Sequence, residues 1–416
     1  MKNKLRTILG LALCTTFFCS TAAHALNPET ELLLVLLKSK GIISKEEAEN
    51  FKKTIEENAS ATIEKEEHYQ SVEGLAARMD KLEDAKEDTG IETGWPSRIT
   101  FSGLMETQES YTKTHSATAG VANTTTNDFT LSKVELGVDA RINNRVEAHA
   151  VFLYEEDDTE QITIDEGYLN ITGGEGSPFF MNIGKMVIPF GRFESHFISD
   201  PVTLTLGETN ESSLLLGMRN DFLELSAGAF NGTIRETNDN EKIDSFYASA
   251  VLSFPKETVP GAAITAGISY NSNLADSETM QDINGVNGAA INDLVGGFGA
   301  FASIAVNEKV FFDVEYVTVS ESFQGGELAY ATNVTDTPEP SAWNVELAFA
   351  VLENLELALK YEGSHEFDNV VPDEQYGIAV SYALFENTSV AMEYLRGEMK
   401  NKDDTDTITV QLGIEF

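Results

Sequence analysis

The chain has 416 residues, 42% of them hydrophobic, and a formal net charge of −40 from 68 acidic against 28 basic side chains. That balance excludes a nucleic-acid binder, which needs a basic footprint for phosphate, and it weighs against a simple attractor of anions. Beyond residue 25 no apolar run is long enough for a transmembrane helix, so a membrane-spanning form would have to be a closed barrel.

Residues 1–25 have the pattern of a secretory leader. Lys2, Lys4 and Arg6 form a basic start, Ile8 to Phe18 a short apolar stretch, and Ala23-His24-Ala25 a small-x-small cleavage site. Cys14 and Cys19 lie inside this leader and follow Leu13 and Phe18, not the small residue that lipid attachment prefers. The exported protein would then carry no thiol, which removes disulfides, cysteine nucleophiles and thiolate metal sites together.

Residues 26–94 read as a short helical or coiled-coil periplasmic segment. Leu32 to Leu37 is an apolar turn-and-a-half, Gly41 a C-cap, and Ser44-Lys45-Glu46-Glu47 a capping box. Val72, Leu75, Met79 and Leu82 follow the spacing of a coiled-coil seam. A seam this short leaves a helix packed on its own domain and an oligomer contact both open, with a homotrimer as the expected oligomer. Gly90 to Pro96 reads as a hinge.

From residue 95 the period changes to two. Val134, Leu136, Val138, Ala140 and Ile142 face one way; Lys133, Glu135, Gly137, Asp139 and Arg141 face the other. Leu355, Leu357, Leu359 and Tyr361 alternate in the same way with Glu356, Ala358, Lys360 and Glu362. Such segments centre near Gly103, Leu136, Ala150, Glu166, Met181, Leu215, Ser226, Ala250, Ala266, Ala300, Val314, Leu347, Leu357, Ala379, Met392 and Val410. Their connections alternate between short turns, such as Asn143-Asn144 and Glu353-Asn354, and longer polar stretches, of which 185–212 is the longest by this reading. The fold class expected is therefore all-β: a sixteen-stranded antiparallel transmembrane β-barrel over 95–416 in the outer membrane of a Gram-negative cell. Phe416, with apolar residues at every second position back to Ile408, is similar to the C-terminal signature of such barrels. That similarity implies recognition by the barrel-assembly machinery, with membrane lipid as the other partner.

One stretch is more particular. Asp165-Glu166-Gly167-Tyr168-Leu169 leads to Gly184-Lys185-Met186-Val187-Ile188-Pro189-Phe190-Gly191-Arg192-Phe193-Glu194-Ser195-His196, then to Ser199-Asp200-Pro201-Val202-Thr203-Leu204, Gly207-Glu208-Thr209 and Ala229-Phe230-Asn231-Gly232. This resembles the LbtU-type siderophore porins, themselves distantly similar to phosphate-selective porins. The stretch Trp95 to Leu104 and the leading motif around Lys40-Gly41-Ile42-Ile43 share the similarity. The resemblance implies a sixteen-stranded barrel without a plug domain that takes up ferric siderophores passively or by facilitated passage.

The stretch 185–212 is also unusually apolar for an exposed loop, with Phe190, Phe193, Phe197 and Ile198. By fold-level analogy with porins, whose third loop folds inward, Lys185, Arg192, Glu194, His196 and Asp200 become the candidate pore constriction. The alternative is that Pro189, Gly191 and Pro201 only form turns and the charges only form structural pairs.

Little other chemistry stands out. His68, His115, His149, His196 and His365 are scattered without metal-ligand spacing, so no metal or cofactor is expected. Gly296-Gly297-Phe298-Gly299 lacks the helix a phosphate loop requires. No enzyme signature is present. Besides siderophore uptake, a general cation-preferring diffusion porin and a structural barrel that tethers the envelope through 26–94 stay open.

Overall fold

The structure, a computed structural model, describes residues 95–156, 161–237, 242–284, 290–328, 330–331, 335 and 337–416. The leader and the helical segment expected over 26–94 lie outside the described residues.

Sixteen strands close into one antiparallel barrel. They are β1 (Ile99–His115), β2 (Thr124–Asn143), β3 (Val146–Tyr154), β4 (Thr163–Thr172), β5 (Phe179–Val187), β6 (Asn210–Arg219), β7 (Leu223–Phe230), β9 (Ser245–Phe254), β10 (Ala262–Asn271), β12 (Gly297–Val306), β13 (Val310–Val319), β14 (Ser341–Leu352), β15 (Leu355–His365), β16 (Glu374–Phe385), β17 (Thr388–Glu398) and β18 (Asp404–Glu415). Each pairs with its neighbours in chain order. β1 closes on β18 from Leu104↔Glu415 to His115↔Asp404, so the barrel has no open edge. The two remaining strands, β8 (Arg235–Glu236) and β11 (Ala290–Ile291), form a small parallel sheet apart from the wall. Every strand centre named above falls in its own barrel strand.

The side-chain period decides which face meets lipid. Leu136, Leu359, Tyr361 and Leu214 point outward and are exposed, whereas Glu346, Lys360 and Glu362 point inward and are buried. In hydrocarbon a backbone can leave no polar group unpaired, so only a closed sheet with an apolar outer face is stable there. This is a membrane-spanning β-barrel.

Short turns at 144–145, 173–178, 220–222, 255–261, 307–309, 353–354 and 386–387 alternate with longer connections. The boundaries of the third long connection differ from the sequence reading. β5 runs on to Val187 and β6 starts at Asn210, so this connection is 188–209, and the one over 272–296 is longer. Gly184 permits the extension. It has φ +140°, and a Cβ there would stand 2.2 Å from Gly167 O on β4.

The barrel carries its hydrophobic core inside. Ile188, Phe190 and Leu206 of the third connection pack with Met186, Phe230, Tyr247, Leu274 and Val317. Phe197 enters a second cluster against Ala348, Ala358, Ala379 and Leu395. An apolar loop inside a polar-faced barrel buries surface that water would otherwise hold at roughly 25 cal/mol per Å².

Candidate functional site

The inward loop is held by inner-wall carboxylates that accept its backbone N–H groups. On β13, Glu315 takes Arg192 N at 2.6 Å and Phe193 N at 3.2 Å, and also the Thr203 hydroxyl at 2.8 Å. On β14, Glu346 takes His196 N and the Ser195 hydroxyl, each at 2.7 Å. On β17, Glu393 takes Ile198 N at 2.8 Å and Ser199 N at 3.1 Å, and also the Ser199 hydroxyl. On β15, Glu362 takes Val202 N at 2.9 Å, next to the N-terminus of the short helix α1 (Val202–Gly207). Hydrogen bonds to a charged partner contribute about 1.5–3 kcal/mol each, so this row of carboxylates fixes the loop's path.

Two tight turns let the loop follow that path. Gly191 has φ +72°, and a Cβ there would stand 2.9 Å from Glu315 Oε1. Phe193 adopts φ +54°, a left-handed conformation that costs a non-glycine residue roughly 1–2 kcal/mol, offset by the Glu315 contacts.

Lys360 on β15 supplies the counter-charge. Its buried ammonium lies 3.3 Å from Glu346 and 3.8 Å from Glu362, donates to Ser199 O at 3.1 Å, and sits 4.8 Å from the centre of the Phe197 ring.

The structure brings together three of the five sequence candidates, Arg192, Glu194 and His196, around Asp313, with Asp200 elsewhere on the same loop. Arg192 pairs with Glu194 at the loop tip, its guanidinium 5.8 Å from the Phe301 ring centre. His196 sits between Glu356 at 2.8 Å and Asp313 at 3.2 Å. Hydrogen bonding to Asp313 and then Glu356 raises its pKa to about 10 against an opposing desolvation, so this loop imidazole is cationic at neutral pH. It anchors the loop to β13 and β15. Asp200 is exposed and looks toward Glu106 and Lys133 on β1 and β2.

Lys185 is the exception. It lies on β5, paired with Gly167, on the side of the sheet that carries the exposed Leu169 and Ile183, and its ammonium donates to Ile164 O at 3.2 Å. The reading that placed it in the constriction rested on a loop beginning at 185. The strand continues through that position, and its two-residue period turns the side chain away from the lumen.

The side of the loop that faces β1–β4 is acidic. Asp200 and Glu208 on the loop side are within electrostatic reach of Lys133, and Asp200 is also within reach of Glu106. The inward basic side chains here each meet a carboxylate: Lys133 with Glu155 at 3.4 Å, Arg141 with Glu147 at 3.4 Å and His149 with Asp139 at 2.7 Å. Burial, with Glu278, Asp200 and Asp165 nearby, pushes Glu208 up to about 7.

The carboxylates of the inner wall were not singled out from the sequence. Their signal was present as polar residues at every second strand position, but which of them meets the loop depends on where the chain returns.

No family model matches the chain. It is 25% identical over 324 residues to a UPF0422 protein of Coxiella burnetii, covering 76% of this chain and 67% of that protein. It is 23% identical over 324 residues to a UPF0422 protein of Legionella pneumophila, covering 71% of this chain and 58% of that relative's length. Among solved structures it resembles the outer membrane channel DcaP of Acinetobacter baumannii, with a TM-score of 0.52 and 12% identity over 76% of this chain and 97% of that one. It also resembles an anion-selective porin from Comamonas acidovorans, with a TM-score of 0.51 and 9% identity over 76% of this chain and 99% of that one. These likenesses establish the porin fold.

Proposed function

We propose that this protein is an outer-membrane diffusion channel for small solutes, with ferric siderophores as the solutes carried. The observation that carries the channel reading is the loop 188–209 folded into the lumen and fixed to the inner wall by Glu315, Glu346, Glu362 and Glu393. A loop that only covered the barrel would not need a row of buried acceptors aimed at its backbone. Arg192, Glu194, His196 and Asp200 form the constriction in this reading. The siderophore assignment rests on the sequence resemblance around 165–232. The leader, the periplasmic helical segment over 26–94, assembly through Phe416 and a homotrimeric state belong to the same reading. Phe416 exchanges backbone hydrogen bonds with Gly103 at 3.0 Å in each direction and leaves its ring exposed, which is compatible with docking of that strand during assembly.

The acidic side of the loop favours a cation-preferring channel within this reading. Purified protein in planar bilayers should give discrete conductance steps with a cation-selective reversal potential in a salt gradient. Bilayers that stay silent would remove the channel assignment and leave the envelope-tethering role.

A further inference from the structure

We propose that a second copy of this chain docks on the outer face of β1–β5 and sets its Lys185 against Glu109 of the first. The inference rests on the oligomeric reading above and names the surface through which the copies meet.

Two charges of opposite sign stand on the side of the sheet that carries the apolar residues. Glu109 on β1 is in register with Val410 on β18 and with Phe129 on β2, and Val410 in turn with Met392 on β17. Those three apolar neighbours are exposed, so the exposed Glu109 carboxylate belongs to a lipid-facing row. Lys185 on β5 faces the same way, in a row that runs through Gly167, Ala150 and Val138 to the exposed Phe101. Neither charge has an ion-pair partner among the described residues, and the Lys185 ammonium meets only the Ile164 carbonyl. A charge held against hydrocarbon is costly, so each calls for a partner outside its own barrel.

Geometry keeps the two apart within one copy and lets them meet between copies. Four inter-strand spacings separate β1 from β5, about 19 Å, too far for an ion pair. With strands tilted by about 45°, Glu109 stands about 19 Å and Lys185 about 14 Å above the level of Phe101 along the membrane normal. The two lie at similar depth, and two long side chains span the difference. A copy turned about an axis along the membrane normal therefore brings its Lys185 side against the Glu109 side of its neighbour. Repeating that head-to-tail contact closes a ring in which every copy uses both charges. The surface around Lys185 suits a protein neighbour. Its row holds Ala150, Gly167 and Ser212, small residues that allow close approach, whereas the opposite wall presents exposed Tyr316, Tyr361 and Tyr376 as an interfacial girdle. An anionic lipid headgroup would suit Lys185 but would repel Glu109.

The test measures the mass of the full-length protein in detergent micelles by light scattering, across a dilution series. Glu109→Lys and Lys185→Glu should each raise the dissociation constant about tenfold or more. The double variant Glu109→Lys/Lys185→Glu should bring it back to within about threefold of the unaltered protein. A second variant does not depend on charge. No cysteine occurs beyond Cys19, so in Glu109→Cys/Lys185→Cys a short bismaleimide should join one copy to another. Single charge variants that associate like the unaltered protein, a double variant as weak as the singles, or no cross-linked copies overturn the inference and leave an oligomeric channel standing. An unaltered protein that is monomeric removes the oligomeric reading, and the inference with it. A dimer that the double variant rescues supports this interface and overturns only the threefold count.

Discussion

His196 does more than the sequence assigned to it. The sequence marked it as a candidate constriction residue. The structure adds that it bridges Glu356 and Asp313, so its charge holds the loop in place. Because its folded pKa is raised from 6.5 to about 10, its stabilising contribution is fully present below about pH 6.5 and is lost as pH rises through about 10. His196→Gln should remove that alkaline transition and weaken loop anchoring by about 1–3 kcal/mol, seen as added current noise at neutral pH. Glu208 gives a prediction with the opposite charge. With a pKa pushed up to about 7, it is neutral below that pH and anionic above it. Cation preference should therefore rise between about pH 6 and pH 8, measured as the reversal potential in a salt gradient, and Glu208→Gln should flatten the rise.

The inward loop and the strands that hold it form the element on which the site depends. The apolar residues of 188–209 already implied that the loop is not solvated, since Ile188, Phe190 and Leu206 are fully buried. The slot that Phe197 fills was not legible. Ala348, Ala358 and Ala379 are ordinary small strand residues until three adjacent strands bring them side by side. Lys185 was misplaced for a related reason: whether Gly184 ends a strand or continues it depends on the Gly167 backbone beside it. The clamp itself makes a prediction. Glu346 and Lys360 are buried together, so Glu346→Leu leaves the buried ammonium with only the longer 3.8 Å pair to Glu362. The expected loss is about 3–5 kcal/mol, measured by urea unfolding in vesicles, against a smaller loss for the double variant Glu346→Leu/Lys360→Met. A single variant as stable as the double one would show that the pair does not hold the loop.

For the molecule as a whole, closure and the outward apolar face dominate. Leu359 sits near the middle of β15 and is 49% exposed, on the side that meets lipid. Leu359→Arg should cost about 2–4 kcal/mol of barrel stability in vesicles, while a polar change in the 399–403 loop should cost little. The sequence by itself determined the barrel: the number of strands, their order, the lipid-facing side of strands such as β2 and β15, and the alternation of turns with loops. These follow from a two-residue period and local turn chemistry, which act over a few residues and leave a trace in each segment. Only the tertiary structure decided which inward carboxylates grip the loop, which way Lys185 points, and that Arg192 and Asn344 leave an unpaired donor and acceptor in one cleft. Arg192 and Asn344 stand 152 positions apart in the numbering and meet only because the loop folds back across the lumen against β13 and β14. Contacts of that kind depend on barrel closure and strand register, which no local pattern in the chain encodes.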